Sequence, residues 1–152
     1  MKYVMISALA ASILISCSQP PVSVSQPPVQ TGHPIIQAYS QAYNDKDIET
    51  MEALMHPDIE WVSISGNEIE VHVSGKSILS KEMQEWFKNP KLPKGSLRDW
   101  SLNGDYVGVT ETAHWVNDEG EEKSQSALTV YELQENLVRR VYYYPQTPEQ
   151  ID

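Results

Sequence analysis

The stretch SLRDWSLNGDYVGVTETAHWV, residues 96–116, decides the fold. Two runs of alternating side chains, 96–103 and 106–116, flank Asn103-Gly104, the strongest short hairpin signal a sequence offers. Within the second run Val107, Val109, Glu111, Ala113 and Trp115 share one strand face. Tyr106, Gly108, Thr110, Thr112 and His114 share the other. The period of two continues downstream. Residues 124–133 and 137–144 flank Gln134-Glu135-Asn136 and predict a second hairpin, with residues 117–120 turning between the two pairs. From Pro145 the chain reads as a frayed end, leaving residues 146–152 as a flexible tail.

Upstream the period is 3.6. Pro34 suits the first position of a helix in which Ile35, Ile36, Tyr39, Ala42 and Tyr43 follow at helical spacing. Asp47 is placed to cap a second, short helix with Ile48, Met51, Leu54 and Met55 on one face, which His56-Pro57 ends. Residues 59–65 and 68–73 predict a hairpin around Gly66-Asn67. Ser77 then caps a third helix that turns Ile78, Leu79, Met83, Trp86 and Phe87 inward. The loop 89–95 (NPKLPKG) marks the change of period. Helices first and long strands after predict an α+β domain over residues 33–145, a curved antiparallel sheet with three N-terminal helices packed on one face.

The start of the chain has another character. Met1-Lys2, an apolar run over residues 3–15 and the sequence Leu14-Ile15-Ser16-Cys17 have the order of a secretory signal. The run is too short to cross about 30 Å of hydrocarbon at 1.5 Å per helical residue, so residues 1–16 read as a signal peptide. Cys17 is the only cysteine, and no disulfide is expected to staple the fold. Leu-Ile-Ser-Cys resembles the lipobox of signal peptidase II substrates. That resemblance implies acylation of Cys17 and anchoring in the lipid bilayer of a bacterial envelope. Ser18 after it implies sorting to the outer membrane, facing the periplasm. Residues 18–32 (SQPPVSVSQPPVQTG) cannot build a core and read as a tether, extending about 45 Å at ~3.1 Å per residue. The formal charge is −10, and loss of Lys2 with the signal leaves ten basic against 21 acidic side chains, or −11. So acidic a surface repels phosphate backbones, which excludes nucleic acid as a partner.

Element order points further. The helical opening 36–43, the segment Met55-His56-Pro57-Asp58-Ile59-Glu60-Trp61, the helix over 75–87, the paired hairpins and the closing strand 138–145 together resemble the nuclear-transport-factor-2-like, or SnoaL-like, superfamily. The resemblance implies a cone with a pocket between bent sheet and helices, and in many members a homodimer formed through the open sheet face. Tyr39, Tyr43, Trp61, Trp100, Trp115, Tyr131, Tyr142 and Tyr144 are the expected pocket lining, suited to a small apolar or aromatic ligand.

Two residues are candidates for catalysis. Glu111 lies in the apolar phase of its strand, where burial would raise its pKa and fit it for acid–base work. The commoner arrangement is a solvated glutamate or one paired with Arg139 or Arg140. His114 has the ordinary pKa of a general base but lies in the opposite phase, so a regular strand cannot bring the two together. The isomerases of the superfamily use an aspartate on the strand after the second helix, with a tyrosine and a protonated acid. Here that strand carries Val62 or Ser63 at the expected place, and Thr129 stands where the second acid would fall. Ligand or protein-partner binding without catalysis is therefore the expectation, the alternative being isomerase, hydratase or cyclase chemistry through Glu111 or His114 with a tyrosine. No cofactor is expected, since the chain has no Gly-rich phosphate loop and no Gly-x-Ser-x-Gly elbow. No metal is expected from the scattered His33, His56, His72 and His114; Glu70-x-His72 is a weak exception.

Overall fold

The computed structural model describes residues 32–145; the expected signal peptide, Cys17, the expected tether as far as Thr31 and the expected tail from residue 146 lie outside the described residues. Helix α1 (Pro34–Asp45) opens on Pro34, whose missing N–H costs nothing in the first turn, and buries Ile36, Tyr39 and Ala42. Lys46 ends it in the left-handed region at φ 59. Asp47 caps α2 (Ile48–Leu54), its carboxylate accepting from the Thr50 N–H at 3.0 Å. Met55, expected as a helical residue, instead begins strand β1 (Met55–Ser65), since Pro57 disfavours helical geometry just before it. After β2 (Glu68–Ser74), helix α3 (Lys76–Trp86) starts one residue ahead of the expected cap. Gly75, not Ser77, is its N-cap, at φ 96, and the Gly75 N–H donates to the Ile59 carbonyl at 2.8 Å.

The remaining strands are β3 (Lys94–Asn103), β4 (Tyr106–Val116), β5 (Glu122–Gln134) and β6 (Leu137–Pro145). Glu135 and Asn136, both at positive φ, make the tight turn between the last two. All six strands form one open sheet in the order β2-β1-β6-β5-β4-β3. The expectation of a wholly antiparallel sheet is corrected, because β1 and β6 pair in parallel. Hairpin signals govern only strands adjacent in sequence. The β1–β6 pair is long-range, and alternation says nothing about its direction. Register shifts at Trp61/Val62, Arg98/Ser101 and Glu132/Leu133 bend the sheet.

Ile36, Met51, Leu79 and Met83 from the helices join Val107, Val109, Val138 and Val141 from the strands in one fully buried cluster. Strand register extends that face sideways. Val107, Tyr131, Val141 and Trp61 form one row across β4, β5, β6 and β1, and Val109, Thr129, Tyr143 and Ser63 the next. The third row begins with Glu111 opposite Ala127. The other face exposes Leu128, Tyr144, Val71 and Ile69. It also carries an ionic web in which Arg140 reaches Glu60 at 2.6 Å and Glu132 at 3.0 Å.

Candidate ligand cavity

Beyond the valine rows the inward face of β4 reaches Glu111, and there the core stops being solid. Tyr39 and Tyr43 from α1, Trp86 from α3 and Trp61, Tyr131 and Tyr143 from the sheet surround a cavity of about 120 Å³. A second recess of about 230 Å³ adjoins it and shares Glu111, Ala113 and Tyr143. Gly95 on β3 closes one side. A Cβ built there would stand 3.5 Å from a Glu111 carboxylate oxygen. Asn44 fixes that glycine from α1, accepting from its N–H at 2.7 Å and donating to its carbonyl at 2.8 Å.

The rings hold one another in place. Trp61 packs on Trp86 with centroids 5.7 Å apart and meets Tyr143 edge to face at 5.9 Å, while Tyr39 meets Tyr131 at 6.3 Å. The Tyr131 hydroxyl donates to Glu111 at 3.1 Å. Burial raises the Glu111 pKa, and the Tyr131 hydrogen bond opposes that shift without cancelling it. Burial also pushes the hydroxyls of Tyr131 and Tyr143 well above their ordinary range and raises Tyr39 and Tyr43, with Glu111 adding to the rise in each. The four phenols therefore stay protonated at neutral pH. Two buried polar atoms in the lining, Tyr39 Oη and Trp61 Nε1, have no hydrogen-bond partner among the described residues. Chemically, the cavity offers a transferable carboxyl proton, a set of O–H and N–H donors and aromatic walls.

The linkage sign gives a first expected result. A carboxyl whose folded pKa is raised contributes stability below its ordinary value of 4.5 and loses it as pH rises through the elevated value. Glu111→Gln cannot ionise, so it should match the parent chain in acid and exceed it at neutral pH. Each tenfold elevation of proton affinity adds about 1.4 kcal/mol. Urea unfolding at the two pH values checks this, and equal gains at both would contradict it.

Of the residues expected in the pocket, Tyr39, Tyr43, Trp61, Tyr131 and Glu111 line the cavity. Trp100 packs against the edge of the core, and Trp115 lies farther along β4; neither lines it. Tyr142 and Tyr144 are also outside. Register sets Tyr143 opposite Thr129 on the inward face and turns its two neighbours outward. Tyr142 binds Glu132 and Arg140 there, and Tyr144 is exposed. Tyr143 was legible through Val141, since a core valine two residues earlier shares its face. Trp86 was read as helix core, but its ring reaches the cavity wall. His114 sits exposed on the outward face, 2.9 Å from the Ser96 hydroxyl and away from Glu111. Arg139 and Arg140 pair with Glu60, and Arg140 also with Glu132, so neither meets Glu111. His72 lies between Ser63 and Glu70 on an exposed edge. Among the described residues, no three His, Cys, Asp or Glu side chains converge to hold a metal ion.

A family model described as a SnoaL-like domain matches residues 36–141. No functionally curated protein matches the chain in sequence. Among solved structures, a proposed ketosteroid isomerase from Kribbella flavida is similar with a TM-score of 0.61 at 16% identity, covering 78% of this chain and 79% of that one. An epoxide hydrolase of the LEH-like kind from M. tuberculosis gives 0.60 at 12% identity, covering 74% and 80%. A protein with a ketosteroid-isomerase-like fold from Catenulispora acidiphila, crystallised with trimethylamine, gives 0.59 at 12% identity, covering 75% and 86%. At these identities the likeness is one of fold.

Proposed function

Because the chain belongs to the SnoaL-like domain family, we propose that it is a ligand-binding member of that family carried on a lipid-anchored envelope protein. Cys17 is the acylated residue and residues 18–32 the tether that holds a cone-shaped domain, residues 33–145, off an outer membrane on its periplasmic side. What supports the binding role is one observation, an aromatic cavity closed around a single largely buried carboxyl group. The volume suits a small ligand rather than a polycyclic one. The exposed Leu128, Tyr144, Val71 and Ile69 support a homodimer through the outward sheet face.

A second reading is favoured by the 3.1 Å contact between Glu111 and the Tyr131 hydroxyl, which is within the reach of proton transfer. In it Glu111 moves a proton on a bound substrate and Tyr131 steadies the charge left behind, as in isomerase, hydratase or cyclase chemistry.

Native mass spectrometry of the full chain, released from a maltoside detergent, tests the binding role. A small adduct carried by the parent chain and lost in Glu111→Gln is the expected result. Adduct-free spectra from both, together with a cavity refilled by side chains, would end this reading. The same spectra report monomer or dimer.

A further inference from the structure

We propose that the cavity selects a small organic cation, a methylated ammonium carrying a short oxygen-bearing arm. This rests on the reading of the cavity as a ligand site and names its ligand class.

Glu111 is the one carboxylate in the lining, and among the described residues it has no cationic partner. The nearby guanidinium groups, Arg139 and Arg140, belong to the opposite face and are engaged by Glu60 and Glu132. Lys94 is the one cation in the lining, exposed at the rim, and makes no ion pair with Glu111. A largely buried carboxylate needs a positive partner or must take up a proton. Six aromatic rings surround that position, and ring faces attract a cation lying within about 6 Å. The cavity holds about 120 Å³, roughly the share of four liquid waters. That suits a compact ammonium head.

The unpartnered Tyr39 Oη and Trp61 Nε1 add the second requirement. The indole N–H lies close enough to the Tyr39 hydroxyl to counter the rise in its pKa, but the two fall outside hydrogen-bond geometry. A bare tetraalkylammonium would answer Glu111 and leave both atoms unsatisfied. An oxygen on a short arm can accept from the indole N–H and complete the set. The formal charge of −10 draws cations towards the protein as a whole.

Calorimetric titration of the full chain in maltoside detergent, which carries no ammonium group, tests the proposal with two probes. Choline has the head and the arm, and 3,3-dimethylbutan-1-ol is its uncharged isostere. Choline should bind about 30-fold more tightly than the isostere. Its affinity should rise with pH until Glu111 is ionised and then level off. The other groups facing Glu111 are the phenols of Tyr39, Tyr43, Tyr131 and Tyr143, which remain protonated throughout, the Thr129 hydroxyl and Lys94 at the rim. Glu111→Gln should abolish the preference for choline, and Trp61→Leu should weaken both probes but choline about tenfold more, since both lose the indole N–H and only choline loses a cation–ring contact. Equal binding of both probes would overturn the cationic ligand and leave the ligand cavity standing. A preference for choline that survives Glu111→Gln would overturn it as well. Binding of neither probe also overturns it, and the adduct in the native spectra then decides separately whether the cavity takes any ligand.

Discussion

Leu79→Ala should lower the unfolding free energy by about 3 kcal/mol, within the roughly 2–5 kcal/mol range of buried leucine truncations. Leu79 is fully exposed to the interior and not at all to solvent, on the side of α3 that faces the main cluster. Helix α3 packs against α2, β1 and β2, so the space left behind is bounded by backbone on several sides and cannot collapse freely. The loss has two parts, the transfer of the missing methyl groups and the cavity they leave. Urea unfolding should show a lower midpoint at an unchanged slope. A loss below about 1 kcal/mol would mean that α3 shifts to fill the gap. Trp86 would then move, and the cavity wall with it.

Asn44→Ala should cost about 2–3 kcal/mol, more than its partly exposed position suggests. The side chain makes both of the bonds that Gly95 turns toward α1, one as acceptor at 2.7 Å and one as donor at 2.8 Å. Removing it leaves a half-covered N–H and C=O without partners, and an unmade bond costs more than a made one contributes. Asn44→Asp keeps the acceptor for the Gly95 N–H but sets a second carboxylate oxygen against the Gly95 carbonyl, so it should lose at least as much. Hydrogen exchange at the Gly95 amide separates this account from a general loosening. That amide should lose protection in Asn44→Ala and keep it in Asn44→Asp, while amides in the β4–β5 ladder keep theirs in both.

The parts of this fold that were legible in the sequence are those fixed by near neighbours. Pro34 starts a helix, Asp47 caps one, and Gly104 turns between two strands, one residue later than Asn103-Gly104 placed the turn, because each acts through atoms a few residues away. The element order follows from such signals. What depends on distant partners was not legible. The direction of β6 against β1 is invisible to alternation, and the pairing of Tyr143 with Thr129 is written in neither strand alone. Glu111 was placed on the right strand face by its valine neighbours. Its hydrogen bond to Tyr131, twenty residues on, depends on the β4–β5 register, which a one-residue slip would reverse. Gly95 is the hardest case. Nothing in the loop NPKLPKG signals that its last residue stands beside a carboxylate and is held from α1 by Asn44.

The parallel pairing of β1 with β6 also sets the order of events when the chain folds. Glu60 and Arg140, joined across that pair, are 80 residues apart, and the strand that completes the contact is the last one made. It lies inside the sheet, between β1 and β5. Until it arrives, the β1–β2 hairpin and the β3–β4–β5 ribbon are separate pieces with no ladder between them. Closing so long a loop before any contact repays it makes for slow folding. A chain truncated before Leu137 should therefore behave as two unjoined fragments rather than as a weakened domain.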